Sequence, residues 1–239
     1  MRTPTPRPVS SRRAPGRPAA SHERGARDRL LSAATELFAS QGVAATTFAM
    51  IAKRAELTPA MLHYYFKDRD QLLDAVVDER LFLVLTRVWD PVQPGASAAE
   101  TIRGIVERLL DGIEEMPWIP STWMREVLNE GGLLREKMLR RLPFEKVRSL
   151  AAAITQGQSQ QSYNPDIDPT LFIFSMLGLV MMHMATLSFW AETFHRKPPS
   201  KLAVQRHITG LLLDGLCHSS ALKPVKTRGT KKPSTRQLV

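Results

Sequence analysis

From Arg27 onward the apolar positions fall three and four residues apart, the spacing of helices that bury one face. Leu30, Leu31, Ala34, Leu37 and Phe38 form the first such run, and Gly42 stops it. In "TTFAMIAKRA" a Thr at 46 or 47 is the expected cap, with Phe48, Ile51, Ala52 and Ala55 sharing a face. "ELT" makes a turn, after which Thr58 caps and Pro59 opens a short third helix reaching about Tyr65. Asp68 and Gln71 have the spacing of a capping box. The fourth helix they open runs through Leu72, Leu73, Val76, Val77, Leu81, Phe82 and Leu85 to about Trp89.

"DPVQPG" at 90–95 breaks the pattern, and Ser97 with Glu100 opens a helix that ends near Pro117. Trp118 and Trp123 flank a Pro-Ser-Thr turn. A short helix then reaches about Glu130, with Arg125, Glu126 and Glu130 on a solvated face. Gly131 and Gly132 separate it from a long charged helix interrupted at Pro143, and 156–169 reads as a polar loop. Two final helices, Pro169–Phe194 and Lys201–Cys217, are split by Lys197-Pro198-Pro199. No stretch alternates as a strand does and no repeat is visible, so the expected fold class is all-α. The run Leu171–Ala191 carries no charge and by length alone reads as a membrane span. A central helix buried on every side gives the same pattern. Ser175, His183, Thr186 and Ser188 interrupt the run, and the expectation is no membrane.

Charge changes this picture through its location. The net charge is +10, but residues 1–26 hold six Arg against one Glu and residues 222–239 hold six Lys or Arg with no acid. The body between them is close to neutral, so a nucleic-acid function there must rest on particular side chains. Both ends read as disordered basic segments. Gly16-Arg17-Pro18 has the core of a minor-groove AT-hook, but Pro15 stands where that motif has Arg. The Arg- and Ser-rich start shares the composition of a transit peptide, yet its five prolines before residue 19 oppose the amphipathic helix such a peptide needs. The single cysteine, Cys217, excludes a disulfide framework and a Cys-based zinc site. No phosphate loop, CxxC, HExxH or GxSxG is present, so neither catalytic residues, metal ligands nor a cofactor are expected.

Four rings stand together at His63, Tyr64, Tyr65 and Phe66, between the third helix and the fourth. Three short helices whose last two are joined by a tight turn describe a helix-turn-helix, which sets its last helix in the DNA major groove. The stretch "RLLSAATELFASQGVAATTFAMIAKRAELTPAMLHYYFKDRDQLLDAVV" resembles the TetR/AcrR transcriptional regulators. It has "ELF" in the first helix, a Gly stop, "IA" in a Thr-capped second helix, "YYF" closing the third, and Lys before an "LL" helix. The resemblance implies that Tyr64, Tyr65 and Lys67 contact the DNA backbone, while Phe66 plugs the core. It leaves base reading to Thr58, Pro59, Ala60, Met61 and His63, with Thr47 also at the interface. Pro59 and Met61 depart from the Lys and small polar residue usual there. Glu56 stands where a turn glycine is usual.

The resemblance also implies a division of labour: DNA binding in 27–80, and effector binding and dimerisation in 81–221. The implied protein is a cytoplasmic homodimeric repressor on a pseudo-palindromic double-stranded operator. Its small-molecule effector would be apolar or aromatic, to suit a chamber walled by Trp118, Trp123, Met124, Phe172, Met176, Met181 and Met184. Its dimer face would include Leu202, Ile208, Leu211, Leu212 and Leu216. The rival reading is a DNA-architectural protein binding non-specifically through its basic ends.

Overall fold

The computed structural model describes residues 19–93 and 95–217, so the Gly16–Pro18 tripeptide and the segment 222–239 lie outside it. Among the described residues every regular element is helical. The chain divides into two compact units after Val76, upstream of the boundary near residue 80 expected from the sequence.

In the first unit, α1 spans Ala19–Gln41 and so begins well before Arg27. Residues 19–26 are helical and do not belong to a disordered arm. Their composition, "AASHERGA", is rich in good helix formers, but only Ala26 is buried among those whose side chains are described, so periodicity could not reveal them. Leu30, Leu31, Ala34 and Phe38 are buried as expected. Gly42, at φ 86°, ends the helix, its N–H bonding the Phe38 carbonyl at 3.0 Å.

The two threonines that follow have separate tasks. Thr46 is buried and donates to the Gly42 carbonyl at 2.8 Å. Thr47 caps α2 (Phe48–Arg54), accepting from the Met50 N–H at 3.3 Å. Thr58 caps α3 (Pro59–Tyr65) in the same way, accepting from Met61 at 3.3 Å. Asp68 caps α4 (Arg69–Val76) through the Gln71 N–H at 2.9 Å. Gln71 in return accepts from the Lys67 N–H at 2.7 Å. The Arg69 guanidinium donates to the Val43 carbonyl, tying α4 to the loop after α1.

The second unit opens with a π-helical turn, Val77–Leu81, before α5 (Phe82–Trp89). Helix α6 (Ala98–Glu115) starts with the expected box: Ser97 accepts from the Glu100 N–H and donates to its carboxylate at 2.8 Å. The Pro-Ser-Thr turn is helical, as α7 (Ile119–Thr122). It runs into a second π turn, Trp123–Val127, closed by the Leu128 N–H on the Trp123 carbonyl at 3.0 Å. Glu126 does not lie on a solvated face. It is 5% exposed, and its carboxylate accepts from the Leu133 N–H at 3.2 Å, which fixes the turn at Gly131-Gly132. A short charged helix, α8 (Arg135–Leu139), and a longer one, α9 (Phe144–Ser159), follow, with Pro143 between them.

The final pair is α10 (Pro169–Thr193) and α11 (Lys201–Cys217). Asp168 caps α10, accepting from the Thr170 and Leu171 N–H groups at 2.8 Å. The apolar length of α10 suffices to cross a membrane by composition alone. It is not buried on every side: Phe172, Ile173, Met176, Val180 and Met181 enter the core, while Phe174 and Phe189 are 66% and 70% exposed. Of the five leucine and isoleucine positions expected at a dimer face, Ile208, Leu212 and Leu216 are buried in the chain's own core. They recur every four residues and form the inward stripe of α11. Only Leu202 and Leu211 face outward. Lys201 anchors the start of α11 to α6 through Asp111 at 2.9 Å and Glu114 at 2.5 Å.

Candidate nucleic-acid interface

The turn between α2 and α3 decides how the two helices present their surfaces. Ala55 closes α2, and Glu56 then adopts φ 55°, a left-handed conformation that favours glycine. Its N–H still bonds the Lys53 carbonyl at 3.2 Å, and the Leu57 N–H bonds Ala52 at 2.9 Å. A charged residue therefore occupies a position whose geometry suits Gly.

Helix α3 has only seven residues, and Leu62 is its sole buried side chain. Its stability must come from its caps and from Phe66 just beyond it. Phe66 is fully buried, as expected, with the Arg27 guanidinium 5.2 Å from its ring centre. The neighbouring rings face the opposite way. Tyr64 is 73% exposed and meets Tyr65 edge-on at 5.1 Å, with an interplanar angle of 80°. Thr47, Thr58, Pro59, Ala60, His63 and Lys67 are exposed, and Met61 and Tyr65 half-buried. All the residues expected at a DNA surface thus reach solvent. His63 does not project freely: its ring rests on Phe48 at 5.3 Å, which takes Phe48 out of the core of α2.

Lys53 is exposed on α2 and belongs with these groups, although the sequence pattern gave no reason to single it out. Its neighbour Arg54 is committed to Glu36, with Nε donating to the carboxylate at 2.9 Å. That pairing distinguishes the two cations, and only a fold could show it. Such a surface of hydroxyls, rings and ammonium groups is suited to sugar and phosphate.

The second unit holds a separate feature, an apolar cavity of about 100 Å³ between α5, α6, α8, α9 and α10. Leu81, Val84, Leu109, Trp123, Leu177 and Met181 contribute to its wall, and the lining is apolar throughout. Of the expected chamber residues only Trp123 and Met181 reach it. Phe172 and Met176 are packed into the closed core. Trp118, Met124 and Met184 are half-buried outside the lining. The α5 contributors were missed because their spacing is that of ordinary core. Among the described residues no three His, Cys, Asp or Glu side chains gather to hold a metal ion.

Residues 30–76 match the family described as bacterial regulatory proteins, tetR family. Over 223 residues the chain is 26% identical to the HTH-type transcriptional regulator SrpR of Pseudomonas putida, covering 84% of this chain and 93% of that protein. Over 145 residues it is 25% identical to the HTH-type transcriptional repressor KstR2 of Mycolicibacterium smegmatis, covering 61% of this chain and 71% of the other. Among solved structures, the ketosteroid transcriptional regulator KstR2 of Mycobacterium tuberculosis superposes with a TM-score of 0.64 at 19% identity, covering 81% of this chain and 95% of that one. That likeness is one of fold.

Proposed function

We propose that the chain is a DNA-binding transcriptional regulator of the tetR family, acting in the cytoplasm as a homodimeric repressor released by an uncharged apolar or aromatic effector. In this reading Tyr64, Tyr65, Lys67 and Thr47 hold the sugar-phosphate backbone, and Thr58, Pro59, Ala60, Met61 and His63 face the bases. Lys53 joins the phosphate contacts. The observation that carries the DNA assignment is the sorting of adjacent rings, with Phe66 wholly buried and Tyr64 wholly in reach of a partner. Nothing in the stability of the unit requires an exposed tyrosine there.

The effector class follows from the cavity. A wall without a polar group cannot compensate a buried charge, so carboxylates and ammonium compounds are disfavoured as occupants. Dimerisation is supported by the outer face of α10. Leu171, Phe174, Gly178, Met182, Ala185 and Phe189 are all exposed and lie three or four residues apart along one side. Leu202 and Leu211 of α11 extend the apolar surface, replacing the inward-facing residues of that helix. Two copies joined there would place two recognition helices on a two-fold operator. Effector binding would then act by favouring a dimer whose recognition helices no longer match the operator spacing.

Footprinting of the full-length protein on the DNA flanking its own gene tests this reading, beside a Tyr64→Ala, Lys67→Ala double variant. A compact symmetric footprint lost in the variant is the expected result. A diffuse footprint unchanged in the variant, and abolished by removing residues 1–18 and 222–239, would assign binding to the basic ends instead.

A further inference from the structure

The charged and amide side chains that read base edges are Arg and Lys on guanine, Asn and Gln on adenine, and Asp and Glu on the cytosine amino group. None of them occurs between Thr58 and Phe66. Pro59 has no N–H, Ala60 offers a methyl group, and Met61 a thioether, and all three reach solvent. The Thr58 hydroxyl accepts the Met61 N–H at 3.3 Å, which holds it at the start of α3 and leaves a single O–H to donate. The His63 ring is held against Phe48. What α3 turns outward before Tyr64 is therefore chiefly hydrocarbon and sulfur.

The major groove presents a single apolar feature, the C5-methyl group of thymine. We infer that this protein reads its operator mainly by packing Pro59, Ala60 and Met61 against thymine methyl groups, so that each half-site carries thymine at one or two fixed positions. The inference rests on the regulator reading above and narrows its partner to a class of sequence. It assigns specificity to three side chains with no hydrogen-bond donor of their own, and leaves the phosphate contacts to hold the register.

The test begins with selection of binding sites from a random duplex pool by the full-length protein. Each thymine of the selected half-site is then replaced by deoxyuridine, which removes the methyl group and leaves every hydrogen-bonding group of the base in place. Affinity is measured at one fixed salt concentration. The expected loss is about fourfold for each methyl withdrawn from the contact, confined to one or two positions per half-site. In Met61→Ala the sensitivity to deoxyuridine should shrink at one of those positions, while sites outside the half-site stay indifferent. A selected operator that tolerates deoxyuridine everywhere, yet loses affinity on base-pair exchange, overturns the inference and leaves the regulator reading intact. Failure to select any sequence overturns both.

Discussion

Replacing Glu56 by Gly should stabilise the protein. At φ 55° an L-residue stands about 1–2 kcal/mol above its right-handed alternatives, because its Cβ crowds the following carbonyl. Glycine lacks that crowding, but its greater freedom in the unfolded chain takes back about 0.5–1 kcal/mol. The carboxylate of Glu56 is exposed, so its removal leaves nothing buried and unsatisfied. The net gain is about 0.5–1 kcal/mol, or roughly 2–3 °C in Tm for a chain of this size. Urea unfolding followed by circular dichroism reads it directly as a higher midpoint at unchanged slope. Glu56→Val should move the midpoint the other way, since a branched Cβ tolerates the left-handed region least. Glu56→Gln separates strain from charge: it keeps the Cβ and therefore the stability of the parent while removing the carboxylate. A Gly variant less stable than the parent would refute the account of the turn. A Gln variant as stabilised as Gly would show that charge, not conformation, is at issue.

Gly132→Ala should destabilise by about 1–3 kcal/mol, because the added Cβ would lie 2.2 Å from the Glu126 backbone carbonyl oxygen; an unchanged urea midpoint would contradict that packing. Gly25→Ala should instead stabilise by about 0.5–1 kcal/mol, since Gly25 lies inside α1 with open space around it; no gain in Tm would return residues 19–26 to an unstructured arm. Benzene should raise the Tm of the parent protein by occupying the apolar cavity, and Leu177→Trp, which fills that space, should abolish the shift while operator binding persists; a shift retained in the variant would place the ligand elsewhere. Lys67→Ala should weaken binding about equally on all sequences and reduce the salt slope of log Kd by about one; a sequence-dependent loss would move Lys67 from phosphate to base.

The first unit was legible because each of its devices is local. Thr47, Thr58 and Asp68 announce caps within three residues, and Phe66 falls in step with Leu62 on the inner side. The second unit was legible as helices but not as faces. A stripe such as Ile208, Leu212 and Leu216 has the same appearance whether it meets its own core or another molecule, and only the packed chain distinguishes them. Glu126 was misread for a related reason: a carboxylate reads as solvated unless the backbone N–H that satisfies it, at Leu133, is already in view. The start of α1 was hidden because residues 19–25 carry no apolar rhythm.

The two wide turns, Val77–Leu81 and Trp123–Val127, have a consequence for descent as well as for shape. Each holds one residue more than an α-helical turn, and each lends a wall residue, Leu81 and Trp123, to the apolar cavity. An extra codon inside a helix ordinarily rotates everything after it by about 100° and throws its buried face into water. Confined to one widened turn, the same codon leaves the flanking helices in phase and changes only which side chain meets the cavity. Insertion and deletion at these two places would therefore be a route by which relatives on this fold acquire different chambers without rebuilding the helices around them.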